Sequence, residues 1–180
     1  MNKEIIGVYF PYKLKVVETK TYNKFFTVKR LEADHYLLED YWETAIRVSY
    51  ESRDYIPVLY PFGLLDSVLK YRNCRLNPLD LIGKLLSVRS PVLRVNEKDV
   101  WFRTLIMEFL NDQSSLPFTH KFMRAMYRVF LSLHFDLDQL IEKGEALDVT
   151  GLNWNPYEFE DFDFTKLESL TGCDFSSRER

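Results

Sequence analysis

The sequence contains little glycine and little cysteine. Six glycines are spread over 180 residues, and none belongs to a glycine-rich turn of the kind that cradles a phosphate or a dinucleotide. Two cysteines, Cys74 and Cys173, are too few for a disulfide framework or a four-cysteine zinc site, so we expect thiols in a reducing compartment. Nucleophile-elbow and metalloprotease motifs are also absent, and we expect no cofactor.

Long apolar runs and an excess of positive charge are missing as well. No stretch approaches the roughly 20 apolar residues that a membrane helix requires. The first residues are interrupted by Pro11 and Lys13 and do not have the pattern of a signal peptide. The net charge of −3 provides no overall attraction to nucleic acid or to an anionic membrane. We therefore expect a cytoplasmic protein with no membrane partner.

Apolar and aromatic residues, at 46% and 16% of the chain, are abundant enough for a folded globule. In the first third, β-branched and aromatic segments alternate with turn residues, which predicts strands. The predicted strands cover residues 5–10, 14–18, 25–29, 36–38, 45–50 and 55–60. Residues 37–48 also fit a helix, so two alternatives remain there. Residues 64–71 fit one or two helical turns.

The middle of the chain favours helices. Asn77 as N-cap and Pro78 at the first position predict a helix from Pro78 to about Ser87, with Leu81, Ile82, Leu85 and Leu86 facing inward. Residues 91–106 fit a hairpin, and residues 98–111 alternatively fit a helix. A polar loop is predicted over residues 112–115.

A strongly amphipathic helix is predicted to begin near residues 116–119. Its apolar stripe is formed by Phe118, Phe122, Met126, Val129, Phe130 and Leu133. Lys121, Arg124, Arg128 and Ser132 fall on the opposite face. The three cations of that face, Lys121, Arg124 and Arg128, form the best local candidate for an anion-binding site.

His134, Asp136 and Asp138 form the one cluster that suggests chemistry. An imidazole beside carboxylates can ligate a metal or act as a general base with a raised pKa. The same residues also fit the caps of two consecutive helices, and we favour that structural role because further ligands at metal-binding spacing are missing. Gly144 is placed to end the second, short helix in the left-handed conformation. Residues 146–149 then predict a brief extended segment.

The last part of the chain interleaves acids with aromatics. The candidate partner-binding residues are Tyr157, Phe159, Phe162, Phe164, Glu160 and Asp161. In one interpretation the aromatics, with Trp154, fold back over a bare patch of the domain. In the other, the segment is a docking peptide whose aromatics fill pockets while its acids steer it to a basic partner.

These patterns predict an α+β fold, with an N-terminal, mostly antiparallel sheet packed against two or three C-terminal amphipathic helices. We expect residues 1–152 to form a single α+β domain and residues 153–180 to form an acidic-aromatic C-terminal tail.

Three segments resemble a family of small proteins encoded by bacteriophages and mobile elements of gut anaerobic bacteria. They are YFPYKLKV (residues 9–16), DYIPVLYPFGLLD (residues 54–66) and YRVFLSLHFDLDQLIEKGEALDV (residues 127–149). Members of this family commonly carry a tryptophan before the histidine and a bulky residue after the glycine, where this chain has Leu133 and Glu145. The resemblance implies a phage or prophage origin and a bacterial host cytoplasm, and it implies no reaction.

The leading hypothesis is a non-enzymatic, phage-derived binding or adaptor protein that acts on a host or phage protein. The alternative is an accessory or regulatory protein that binds nucleic acid through the basic face of the helix at residues 118–133. A second alternative is a small metal-dependent hydrolase around His134. The sequence leaves homo-oligomerisation open.

Overall fold

A computed structural model describes residues 3–89 and 120–175 of the chain. The contacts within this structure divide it into two compact units. Unit 1 contains the chain up to residue 64 together with residues 131–160, and unit 2 contains residues 65–130 together with the chain from residue 161 onward. Each unit is thus assembled from segments that are distant in sequence.

Unit 1 is built on a six-stranded sheet with the strand order β4-β3-β2-β1-β5-β8. Consecutive strands β1 to β4 pair antiparallel, β5 pairs antiparallel with β1, and the short β8 adds to β5 in parallel. The strands are β1 (Lys15–Glu18), β2 (Phe25–Leu31), β3 (His35–Glu39), β4 (Ala45–Ser49), β5 (Tyr55–Leu59) and β8 (Leu147–Asp148). The predicted strands at 14–18, 25–29, 36–38, 45–50 and 55–60 are therefore confirmed, and the helical alternative for residues 37–48 is wrong.

One face of this sheet forms the core of unit 1. Side chains of a strand alternate between its two faces, and the buried members alternate accordingly: Phe26 and Val28 on β2, and Tyr36 and Leu38 on β3. The strand predicted at residues 5–10 is instead the helix α1 (Lys3–Tyr9). Ile6 and Tyr9, three residues apart and thus on one helical face, are fully buried in this core.

The described residues of unit 2 form a two-stranded ribbon and three helical segments. The ribbon pairs β6 (Leu69–Lys70) with β7 (Arg75–Leu76). The helices are α2 (Pro78–Arg89), α3 (His120–Ser132), whose last two residues belong to unit 1, and α4 (Phe164–Thr171). The helical turns predicted at residues 64–71 are wrong, because after a 3-10 turn at Phe62–Leu64 residues 65–67 form a turn and a bend, and Leu69–Lys70 form a strand.

Helix α3 confirms the predicted amphipathic helix. Phe122, Met126, Val129 and Phe130 are buried, as is Leu133 just beyond the helix. Ser132 departs from the prediction, since it is buried rather than on the exposed basic face. Its position near the end of the helix, where the chain enters unit 1, accounts for this burial.

The chain beyond α3 contains turns where a short helix was predicted. Residues 140–144 form consecutive turns, and Gly144 takes the expected left-handed conformation with φ of 71°. The predicted extended segment at 146–149 is confirmed as β8 followed by a 3-10 turn at Val149–Gly151.

The α+β class is confirmed, with a mostly antiparallel sheet in the N-terminal part and helices in the C-terminal part. Within the described residues, no helix is both long and apolar enough to cross a membrane. Several predictions lie outside the described residues: the hairpin at 91–106 or helix at 98–111, the loop at 112–115, the start of the helix near Phe118, and the side chain of Leu86.

The N-terminus of α2 generates a testable prediction. The side-chain oxygen of Asn77 accepts from the Leu79 amide at 2.8 Å, and its Nδ2 donates to the Asp66 carbonyl at 3.0 Å. Asn77→Ala should lower the free energy of unfolding by about 1–2 kcal/mol, because the cap and a second hydrogen bond are lost. Asn77→Asp should retain most of the stability, since a carboxylate accepts the same amide. Urea unfolding measures both variants, and equal losses would contradict the capping role.

Candidate functional site

The segment from His134 to Asp136 is bound to the backbone that follows β5. The Tyr60 amide donates to the His134 carbonyl, and the Asp136 amide donates to the Tyr60 carbonyl, each at 2.9 Å. The two bonds form a parallel bridge opposite Phe135, which is fully buried. His134 itself has φ of 61°, in the left-handed region, two residues after the end of α3 at Ser132. The chain therefore leaves the helix at His134 and carries the three residues into the interior of unit 1.

The imidazole of His134 is enclosed and held in one orientation. Its Nε2 lies 2.6 Å from the Tyr12 carbonyl oxygen, and because a carbonyl only accepts, Nε2 is assigned the proton. Its ring stacks on the ring of Tyr157, with 4.2 Å between centroids and 21° between planes. Nδ1 is buried and has no hydrogen-bond partner among the described residues. The remaining lone pair of His134 is thus closed off from solvent.

Burial also sets the charge of this histidine. It lowers the pKa of His134 to about 3; the hydrogen bond to Tyr12 opposes the shift, and the positive charge of Lys15 adds to it. The neighbouring carboxylates suggested a general base with a raised pKa. The pKa of His134 is lowered instead, because desolvation disfavours the imidazolium form. At neutral pH His134 is uncharged.

The two aspartates of the cluster have different positions. Asp136 is buried, and its carboxylate oxygens accept from the Leu140 amide at 2.9 Å and the Ile141 amide at 2.8 Å. Asp138 is exposed, and its backbone carbonyl accepts from Lys143 Nζ. Asp136 thus caps the turns that follow. In the part of the chain that the structure describes, no group of three or more His, Cys, Asp or Glu residues is placed to hold a metal ion.

Two buried tyrosines complete the hydrogen bonding around this segment. The Tyr9 hydroxyl donates to the Phe135 carbonyl at 2.7 Å and accepts from the Leu137 amide at 3.2 Å. The Tyr157 hydroxyl donates to the Val58 carbonyl at 2.6 Å. Burial raises the pKa of both tyrosines above the usual range, so both hydroxyls stay protonated. The cluster is a network of neutral donors with one capping carboxylate. Its hydrogen bonds stabilise the fold of this segment.

The aromatic residues predicted to bind a partner are divided between interior and surface. Tyr157 and Phe162 are 1% and 7% exposed and cannot contact a partner in this conformation. Phe164 is half-buried at the start of α4 and contacts the ring of Phe162. Phe159 alone of these four is largely exposed, at 63%. The interpretation in which the aromatics fold back thus describes Tyr157 and Phe162, while partner binding remains a prediction for Phe159.

The acids of the same segment pair within their own units. In unit 1, Glu160 accepts from the ammonium of Lys15. In unit 2, both carboxylate oxygens of Asp161 accept from the guanidinium of Arg72. These pairs neutralise two of the charges that were expected to steer the segment to a basic partner.

Phe159 belongs to a row of three rings on unit 1. Phe25 and Trp154 have centroids 4.4 Å apart, and Trp154 and Phe159 have centroids 5.5 Å apart, both in edge-to-face geometry. Trp154 is 43% exposed. The row places an apolar surface at the start of the predicted tail.

The residues predicted to bind an anion lie together in unit 2. Lys121 and Arg124 are exposed, and Arg128 is half-buried and donates to the Leu170 carbonyl. All three line a cleft of about 440 Å³, a volume in the range of ligand-binding pockets. The predicted cations are thus brought to one concave surface.

Sequence reasoning missed the tip of the β3–β4 hairpin. Tyr41 and Trp42 are 87% and 80% exposed, and their rings meet edge to face with centroids 5.4 Å apart. The signal was present, because two large aromatics follow Asp40 between two strand-forming segments. The helical alternative for residues 37–48 obscured it.

Comparisons of this chain with protein-family models, with curated proteins and with solved structures find no match.

The buried histidine generates a prediction about pH. The unfolded state protonates His134 near its usual pKa of 6.5 and the folded state only near 3, so the contribution of this residue to stability is complete above pH 6.5 and declines as pH falls. The free energy of unfolding should fall by up to about 1.4 kcal/mol per pH unit between pH 6 and pH 5 from this residue.

The test is urea unfolding of the protein and of His134→Asn at pH 7, 6 and 5. Asparagine tolerates the left-handed conformation, so this variant should be less stable at pH 7 but should lose less stability between pH 7 and pH 5. His35→Asn, which removes a half-buried histidine of β3, is the matched control for the same substitution elsewhere in the chain. An unchanged dependence in His134→Asn would contradict the assignment.

Proposed function

We propose that this chain is a non-enzymatic binding or adaptor protein, derived from a phage or mobile element, that acts by occupying the surface of a host or phage protein. The resemblance of three of its segments to phage-encoded proteins supports the origin. The burial of His134 and the capping bonds of Asp136 support a function without catalysis at that cluster. The binding surface proposed is the hairpin tip.

The observation that carries the proposal is the exposure of Tyr41 and Trp42. Two neighbouring aromatic side chains more than three-quarters exposed form an apolar projection that water solvates poorly. Tryptophan and tyrosine are also the residues most enriched among those that dominate protein–protein binding energy. A projection of this kind fits an apolar pocket on a partner.

The backbone of the tip is already fixed in one conformation. The carboxylate of Asp40 accepts from the Trp42 amide at 2.9 Å and the Thr44 amide at 2.8 Å. The Asp40 amide donates to the Thr44 carbonyl, and the Glu43 amide donates to the Asp40 carbonyl, each at 3.2 Å. A loop held in this way loses little conformational entropy on binding, which favours affinity.

The charge of the tip indicates the chemistry of the partner. Asp40 and Glu43 flank the two aromatics, and residues 40–44 contain no cation. A pocket with a basic rim complements this pattern, and an anionic membrane or nucleic acid would be repelled. The row of Phe25, Trp154 and Phe159 is a second apolar surface of unit 1 that such a partner can contact.

Loss of the tip should abolish partner capture without loss of the fold. The protein is used to capture partners from a nuclease-treated lysate of the bacterium that harbours it, and a partner identified by mass spectrometry is then purified and titrated. Tyr41→Ser with Trp42→Ser should weaken its affinity by about 30-fold or more, which corresponds to about 2 kcal/mol for a dominant contact. Both side chains are exposed, so the unfolding midpoint should be unchanged.

Two further variants make the result specific. Val68→Ser removes an exposed apolar side chain of unit 2, 59% exposed, and should leave the affinity unchanged. Trp154→Ser with Phe159→Ser tests the second surface and should weaken binding less than the tip variant. Deletion of residues 153–180 is unsuitable, because it would remove the buried Tyr157, Phe162 and Phe175. Full affinity in the tip variant would refute the proposed surface.

A further inference from the structure

We propose that the cleft between the start of α3 and the end of α4 in unit 2 is a binding site for phosphate groups. Five residues of α3 line one side of this cleft, namely Ala125 and the four polar residues His120, Lys121, Arg124 and Arg128. The other side is lined by the last residues of α4 and the turn after it, Leu170, Thr171 and Gly172. Three side chains on one wall thus carry permanent positive charge, and none of the described lining residues carries a carboxylate.

Three carbonyls at the end of α4 already have donors within the protein. The last carbonyls of a helix carry partial negative charge when they have no partner. Here the Glu168 carbonyl accepts from the Gly172 amide at 2.7 Å, and the Leu167 carbonyl accepts from the Thr171 hydroxyl at 2.8 Å. The Leu170 carbonyl accepts from Arg128. Protein donors therefore satisfy these three carbonyls, which reduces the partial negative charge at this end of the helix.

Arg128 acts as a positioning residue. Its guanidinium joins α3 to the end of α4 through the Leu170 carbonyl and is half-buried there. Because arginine has five N–H donors, this bond does not use up its hydrogen-bonding capacity, but it does fix the side chain against the wall. The bond thereby links α3 to the end of α4 at the cleft.

Lys121 and Arg124 are the residues proposed to contact the ligand. Both are exposed and form no ion pair with another described residue. Positions three apart on a helix are neighbours, about 5–6 Å between Cβ atoms, so an ammonium and a guanidinium can contact oxygens of one phosphate. Arginine adds a planar fork that matches two of these oxygens. His120 is one turn before Arg124 on the same wall and adds a further ring nitrogen.

The chemistry recognised is the phosphate group, which has two sources. One source is the backbone of a nucleic acid, in which successive phosphates would pass along the row of cations on α3. The other is free phosphate or a mononucleotide that enters the cleft alone. The charge of the cleft fits both, and the dependence of affinity on salt and on chain length separates them.

Isothermal titration calorimetry of the full chain at low salt tests the site with four probes. These are sodium phosphate, a mononucleotide, a mixed-sequence single-stranded DNA and the corresponding duplex. We expect binding of at least one probe and an affinity at least tenfold lower in the double variant Lys121→Gln with Arg124→Gln. For duplex DNA, the slope of log affinity against log salt should become less steep by about 1.8, because two phosphate contacts are lost.

The chain offers a matched control in the same unit. Lys70→Gln with Arg75→Gln removes one lysine and one arginine from exposed positions of the β6–β7 ribbon and changes the net charge equally. This variant should retain the affinity, whereas a non-specific charge effect would reduce it as much. Arg124→Lys should restore part of the affinity lost in Arg124→Gln.

Each outcome decides the proposal. DNA binding that is lost in Lys121→Gln with Arg124→Gln supports the site and identifies nucleic acid as the source of the phosphate. If only phosphate or the mononucleotide binds, and the same variant loses that binding, the site is supported and its ligand is a free phosphate group. Absence of binding by all four probes overturns it. So does binding that both double variants retain equally, or binding that both lose equally, because equal loss is a non-specific effect of charge. Tyr41→Ser with Trp42→Ser should leave the phosphate affinity unchanged, so this site and the proposed protein-binding tip succeed or fail separately.

Discussion

The interior of unit 1 depends on the burial of polar groups where the chain crosses from α3 into the core. The segment from His134 to Asp136 brings backbone amides, carbonyls, an imidazole and a carboxylate out of water, and a buried polar group without a partner costs about 1–3 kcal/mol. The protein provides partners for the backbone groups and for Nε2 of His134 from distant positions: Tyr60 on the backbone, Tyr9 through its hydroxyl and Tyr12 through its carbonyl. Nδ1 of His134 has no partner among the described residues. Residues far apart in sequence are therefore required to meet there.

This constraint also decides what the one chemically suggestive cluster does. A general base needs access to a proton donor and a pKa near the working pH. His134 has neither, since its ring is stacked under Tyr157 and its pKa is held far below neutrality by burial. Asp136 is equally engaged, with both oxygens bound to amides of the turn that follows. The same pairing that stabilises the fold removes the residues from catalysis.

The two surfaces proposed to bind ligands carry opposite charge, and one lies in each unit. The tip of the β3–β4 hairpin combines two exposed aromatics with carboxylates, whereas the cleft of unit 2 is lined by cations of α3 and by the end of α4, where the Leu170 carbonyl accepts from Arg128. The net charge of −3 for the whole chain does not reveal that the tip is acidic and the cleft basic. A sum over all residues does not record where each charge lies. The proposed ligands follow from the local charges: a basic-rimmed pocket for the tip and phosphate for the cleft.

Several elements could be predicted because their signals are local. Strands β1 to β5 follow from alternation and turn residues, α2 from an N-cap followed by proline, and α3 from its apolar stripe, and the structure confirms them. Local signals failed for α1, whose β-branched and aromatic residues fit a strand equally well. Its helical form buries Ile6 and Tyr9 on one face, and the Tyr9 hydroxyl binds a carbonyl 126 residues away.

The sequence by itself determined the α+β class, the strands of the sheet, the start of α2 and the row of cations on α3, because each rests on spacing within a few residues. Only the tertiary structure decided that Tyr157 and Phe162 are interior, that Glu160 and Asp161 are paired, that His134 is neutral and that Tyr41 and Trp42 project from the surface. Burial and pairing depend on which distant residues share a neighbourhood, and spacing along the chain does not contain that information.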